Sequence, residues 1–131
     1  MPTFTVYGHP ATKVSTVSFL GSDGKVVTKA DCKTLKAWSQ AVAWAARAER
    51  VRCVERPQGV LIGLTFVFQK PKSAPDREQH TVKPDIDKLS RAALDALSSG
   101  VAYSDDAQVL ELRASKRYGK ETLTIIQIEA V

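Results

Sequence analysis

Asp85 and Asp87, followed after a gap by Asp105-Asp106, are the residues of this chain whose type and spacing point to chemistry. Carboxylates gathered without His or Cys suit a hard divalent cation. Mg2+ takes oxygen ligands in near-octahedral geometry and is commonly held by one or two carboxylates together with water and a substrate phosphate. Asp85, Asp87 and Asp106 meet that need, with Mn2+ as a second candidate ion. Such an ion lowers the pKa of bound water, polarises a phosphoryl oxygen and stabilises a leaving oxygen, so the expected chemistry is cleavage of a nucleic-acid phosphodiester bond. Each acidic pair also has an ordinary explanation. Asp at a helix start caps free amides and interacts well with the helix dipole, and Asp is common in turns.

The charge distribution strengthens the pairing of metal with phosphate. The chain carries a net charge of +5, yet residues 85–106 hold five Asp against Lys88 and Arg91, leaving a local −3 within a remainder of +8. Clustered carboxylates repel the phosphates that the surrounding Lys and Arg attract, and a bound cation reconciles the two. Lys70, Lys72, Arg77 and Lys83 precede the acidic island and are expected to position a nucleic-acid backbone; the alternative is an ordinary solvated basic loop. Arg91, one helical turn after Asp87, either offsets charge on the phosphate or pairs with Asp87 and Asp95 on a solvated face. His9 reads as a residue without a special role. His80 either hydrogen-bonds a phosphate or lies exposed.

These residues need elements to carry them. Phe4, Val6 and Gly8 alternate with polar neighbours, the period of a half-buried strand ending at Pro10. Val14 to Leu20 and Lys25 to Thr28 flank Gly21-Ser22-Asp23-Gly24, which suits a hairpin. From Asp31, Leu35, Trp38, Ala41, Val42, Ala45 and Ala46 recur at helical spacing, so a helix is expected to about Arg50 with Asp31 as its cap. Trp38 lies on the apolar stripe, whereas Trp44 falls off it and is a candidate contact with another subunit. Val60 to Phe68 is almost continuously apolar and predicts a central strand covered on both faces. Lys70 to Pro84 reads as a mobile loop. Pro84 then suits a helix entry, with Asp85 at the N-terminus and Asp87 in the first turn. Ile86, Leu89, Ala93, Ala96 and Leu97 form one face of that helix, with Asp87, Arg91 and Asp95 opposite. Ser98-Ser99-Gly100 ends it, and a second hairpin is expected from Leu110 to Ile128 with its reversal at Tyr118-Gly119-Lys120. The order of elements predicts one α/β or α+β domain over residues 1–131.

Composition excludes several classes. At 131 residues and 44% hydrophobic, the chain can bury one core and not two ordinary ones. It has no apolar run long enough to span a membrane and no secretory signal pattern at Met1-Pro2-Thr3-Phe4, so a cytoplasmic protein is expected. Cys32 and Cys53 lack partners at metal-ligand spacing and read as reduced thiols in or near the core.

Three segments carry a family likeness: Lys83-Pro84-Asp85-Ile86-Asp87-Lys88-Leu89, then Leu94-Asp95-Ala96-Leu97, then Gly100-Val101-Ala102-Tyr103-Ser104-Asp105-Asp106-Ala107-Gln108-Val109. In order and spacing they resemble the RusA family of Holliday-junction resolvases, often found in prophages. The likeness extends more loosely to Phe4-Thr5-Val6-Tyr7-Gly8-His9-Pro10 and to Lys116. It implies a mixed β-sheet packed with two main helices, and a homodimeric, Mg2+-dependent endodeoxyribonuclease that resolves four-way junctions in branched DNA by paired nicks during recombination and repair. It also implies that Asp85, Asp87 and Asp106 bind the metal and that Arg91 stands where the family has a catalytic lysine. Arg keeps the charge but cannot give up its proton. Lys88 stands where the family usually has Asn; either it or Arg91 takes the place of the missing lysine, and with Lys116 it joins the DNA-binding candidates.

Two other readings compete. A restriction-type nuclease would use Asp85 with Glu111 and Arg113, leaving Asp87 and Asp106 without roles. A non-catalytic module that binds branched DNA or other nucleic acid would use the basic loop alone, with the Asp residues capping and turning.

Overall fold

A computed structural model describes residues 2–12, 29–98 and 100–131, with backbone only for 29–33. The hairpin expected around Gly21-Ser22-Asp23-Gly24 lies outside the described residues. Among those described, the order is β1 (Thr3–Tyr7), α1 (Lys29–Ala48), β2 (Val60–Gln69), α2 (Ile86–Leu97), a short 3-10 turn (Asp106–Gln108), β3 (Val109–Gly119) and β4 (Leu123–Ala130). The strands form one mixed sheet in the order β1-β4-β2-β3. Two helices and a mixed sheet make this an α+β fold, as the sequence pattern and the family likeness predict.

β2 is interior, as its apolar run requires, pairing in parallel with β3 and antiparallel with β4. Its two faces differ, however. Val60, Ile62, Leu64, Phe66 and Phe68 are buried, whereas on the opposite face Leu61, Gly63 and Thr65 are only half-buried and Val67 alone is buried. Among the described residues, the expectation of cover on both faces is therefore corrected: the helices lie on one side and leave the other more open.

The expected second hairpin does not form either. β3 and β4 are consecutive in the chain, but β2 lies between them. The long apolar β2 satisfies both of its edges by taking β3 on one and β4 on the other, which a local hairpin would forbid. β3 is left at the sheet edge, and there Leu110 is 66% exposed despite its place in an alternating apolar pattern.

Parallel strands cannot be joined by a tight turn, so β2 reaches β3 through a crossover, and α2 is that crossover. Its buried face comprises Leu89, Ser90, Ala92, Ala93, Ala96 and Leu97. Ile86, expected on this face, is 37% exposed at the first turn, ahead of where the helix meets the core. α1 packs against α2 and β1 and contributes Trp38, Val42 and Ala46 to a common core with Phe4, Val6, Phe66, Leu89, Leu97 and Tyr103. Trp38 is buried as its stripe predicts, and Trp44 is 68% exposed with the Arg47 guanidinium 5.4 Å from its ring centre. α1 already includes Lys29, so Asp31 lies inside the helix and is not its cap. Each fully buried leucine of α2 contributes about 1.5–3 kcal/mol by leaving water. This packing fixes where both ends of α2 stand.

Candidate active site

Asp85 occupies the N-cap position of α2 with extended backbone (φ −75°, ψ 145°), yet its side chain caps none of the helix amides. The ordinary explanation for an Asp at this position thus does not account for it. Its Oδ2 instead accepts a hydrogen bond from Lys88 Nζ at 2.9 Å, and the same ammonium lies 3.9 Å from Asp87 Oδ1. One cation is thus shared by two carboxylates from the first turn. The lysine holds the Asp85 carboxyl below the usual carboxylate range, chiefly through that hydrogen bond, and Asp85 holds the ammonium above the usual lysine value. Both acids are open to solvent, with the Asp85 side chain 48% and the Asp87 side chain 78% exposed. Two exposed carboxylates converging on a cation form a donor set that fits Mg2+ or Mn2+.

Asp85 lies beside an open cleft of about 550 Å³ whose walls include His9, Thr12, Lys83, Pro84 and Lys88. His9, read from sequence as unremarkable, therefore lines the same cleft; its Nδ1 donates to Pro10 O at 3.1 Å. The entry to α2 is fastened from the sheet, because Lys116 on β3 donates to Val82 O at 2.7 Å and to Pro84 O at 3.0 Å. The segment before it contains no regular element, as expected, but it is anchored. His80 is only 8% exposed and stacks on Phe68 with ring centres 4.3 Å apart. Burial, and then the charge of Lys116, hold its imidazole below the usual value. Arg77 donates to Tyr118 Oη at 3.2 Å. Lys72 and Lys83 are exposed and Lys70 is half-buried.

The second acidic pair stands at the other end of α2. Asp105 and Asp106 have different tasks there. Asp105 caps the 3-10 turn: its Oδ1 accepts from Ala107 N at 2.8 Å, and its Oδ2 pairs with Arg56 at 2.6 Å. Gln108 completes the reciprocal cap. Its Oε1 accepts from the amides of Ser104 and Asp105, while its Nε2 donates to Val54 O and Gln58 O. Asp106 is exposed and is oriented by the buried Tyr103, whose hydroxyl lies 3.1 Å from Asp106 Oδ1 and 3.0 Å from Leu94 O. Burial and the adjacent carboxylate push the Tyr103 hydroxyl well above the usual phenol value, so it remains a neutral donor.

The structure thus brings Asp85 and Asp87 together and leaves Asp106 apart from them. Leu94 is nine residues past Asp85, about 13 Å along the axis at 1.5 Å per residue. The turn at Asp105-Asp106 precedes the returning strand, so it is Lys116 that β3 carries back to Asp85. Among the described residues, no three His, Cys, Asp or Glu side chains are placed to share one ion. Arg91 is exposed on α2 one turn beyond Asp87. Glu111 and Arg113 pair with each other at 2.8 Å on the open face of the sheet, opposite the side on which α2 packs. They are therefore not within reach of Asp85. Sequence reasoning passed over Tyr103 and Gln108. The Asp105-x-x-Gln108 spacing is itself a capping-box signature and could have assigned Asp105 to structure.

Among the described residues, no helix is long and apolar enough to cross a membrane. The chain is similar to an uncharacterised protein, YqaN, of Bacillus subtilis strain 168, with 29% identity over 144 residues that cover 98% of this chain and 95% of that one. The family model for the endodeoxyribonuclease RusA matches residues 13–129, which take in both ends of α2, the cleft residues from Lys83 to Lys88 and the strand that fastens them. Over nearly its whole length, then, the chain belongs to the RusA endodeoxyribonuclease family.

Proposed function

We propose that the protein is a Mg2+-dependent, structure-selective endodeoxyribonuclease that resolves four-way DNA junctions by paired nicks in recombination and repair. The observation that carries this reading is Asp85: a helix N-cap that caps nothing and turns its carboxylate, with that of Asp87, onto one cation. The proposed metal ligands are Asp85, Asp87 and Asp106. The ion supplies Lewis-acid charge at the scissile phosphate. Arg91 places a permanent positive charge one turn from Asp87, where it stabilises charge developing on phosphate oxygens, without serving as a proton donor. Lys70, Lys72, Arg77 and Lys83 follow the backbone of the DNA arms. Lys116 acts through position, holding the segment from which Asp85 projects.

Two nicks call for two sites, and a homodimer supplies them with one chain type. A two-fold arrangement also offers a way to unite the ends of α2, since antiparallel copies would set one chain's Asp106 beside its partner's first turn. Trp44 and the alanine-rich α1 are the proposed contact surface, supported by the exposure of that indole.

The test is a synthetic four-way junction incubated with Mg2+ or with chelator. Nicking is expected only with the metal, and Asp87→Asn is expected to bind the junction without cutting it. Mixing the Asp87→Asn and Asp106→Asn variants should restore nicking at one of two sites, because one site of the mixed dimer keeps all its acids. Tight junction binding with no cleavage under any divalent ion would instead establish the non-catalytic DNA-binding module.

A further inference from the structure

Lys88 occupies the position that the proposed site reserves for a metal. Its ammonium lies 2.9 Å from Asp85 and 3.9 Å from Asp87, and these two carboxylates are the ones that converge within one chain. The nearby cations are placed differently. Lys116 is committed to the carbonyls of Val82 and Pro84, and Lys83 lowers the Asp85 pKa only through longer-range charge.

We propose that Lys88 is a tethered counter-ion that a divalent metal must displace from Asp85 and Asp87, and whose released ammonium then faces the open cleft where the substrate phosphate lies. This rests on the reading of Asp85 and Asp87 as metal ligands. The chemistry of exchange follows from size and charge. An ammonium sits at hydrogen-bond distance, whereas Mg2+ binds oxygen at about 2.0–2.1 Å and accepts few distortions, so both carboxylates must close inward and the lysine must leave. They are free to do so. Asp85 makes no cap bond that movement would break, and Asp87 is mostly solvated. Lys88 sits on the wall of the 550 Å³ cleft, so its long side chain can swing from the acids to an anion without moving the helix. Metal entry and phosphate capture then become coupled: the lysine neutralises the acids when no metal is present and contributes to substrate binding once the metal has taken its place.

The experiment is a titration of Mn2+ into the full-length protein without DNA, read by calorimetry and by the electron paramagnetic resonance of free Mn2+. Removing an exposed competitor should tighten Mn2+ binding about two- to fivefold in Lys88→Asn and Lys88→Gln alike, while Lys88→Arg stays near the wild type. In the wild type, the side-chain nitrogen resonance of Lys88 should shift as diamagnetic Mg2+ is added, reporting release of the ammonium. Equal or weaker Mn2+ affinity in both neutral variants, with Mn2+ still bound, would overturn the exchange and leave the metal reading standing. Absence of Mn2+ binding in wild type and variants together would overturn both.

Discussion

The two ends of α2 use aspartate in opposite ways. At the C-terminal end, Asp105 caps a turn and pairs with Arg56, and Gln108 answers it with four hydrogen bonds to backbone groups. At the N-terminal end, Asp85 occupies a cap position and does no capping. A helix start could be stabilised by any side chain that accepts from the first amides; this one is stabilised elsewhere, by the apolar face from Leu89 to Leu97 and by Lys116 beneath the entry. Packing thus relieves one pair of acids of capping the helix, while the other end divides the labour between a structural Asp105 and an exposed Asp106. A carboxylate's surroundings, more than its place in a motif, tell which kind it is.

That contrast can be broken experimentally. The largest expected effect is on catalysis: Asp106→Asn should slow junction nicking by on the order of a thousandfold, with no more than a small change in melting temperature. A large loss of stability instead would make Asp106 as structural as its neighbour. Next is Gln108→Ala, which leaves two partly buried amides and two carbonyls without their partner and should cost about 1–3 kcal/mol in chemical denaturation. Asp105→Ala should cost about 1 kcal/mol, from the cap and an exposed ion pair, while nicking stays within about threefold of wild type once the protein is folded. Arg91→Lys, measured in the same nicking assay, should keep or raise activity if charge alone is required; a fall equal to that of Arg91→Ala would mean that the planar guanidinium is needed.

The smallest effect concerns pH. His80 has a lower pKa folded than unfolded, because burial penalises its charged form. Below about pH 6.5 the unfolded chain therefore takes up the proton more readily, and stability falls as pH drops through the window beneath the unfolded value. Above that value His80 is neutral in both states and the penalty vanishes. His80→Phe should flatten this part of a melting-temperature profile between pH 5 and 7.

Local chemistry was legible in the sequence wherever it governed the outcome. The alternation of Phe4 and Val6, the helical stripe through Trp38, and the entry to α2 after Pro84 all follow from neighbours in the chain. The long-range pairing was not. Leu110, Leu112 and Ala114 alternate as a hairpin arm would, but strand partners are chosen by the whole sheet, and β2 had two edges to satisfy. The same limit applied to the site. The spacing of the acids suggested a common point, yet convergence depends on where the chain turns, and the turn bearing Asp106 comes before the return. His80 was ambiguous because nothing local forecast the Phe68 ring beneath it.

Lys116 gives the sheet a second use. It stands opposite Phe66 in the parallel ladder, and side chains alternate between faces along a strand. Were β3 to slip by one residue against β2, the lysine would move to the open face and release Val82 and Pro84. The position of Asp85 is thus measured out by a ladder of backbone hydrogen bonds that neither Asp85 nor Asp87 touches, and the sheet serves as the ruler from which the acidic start of the helix is set.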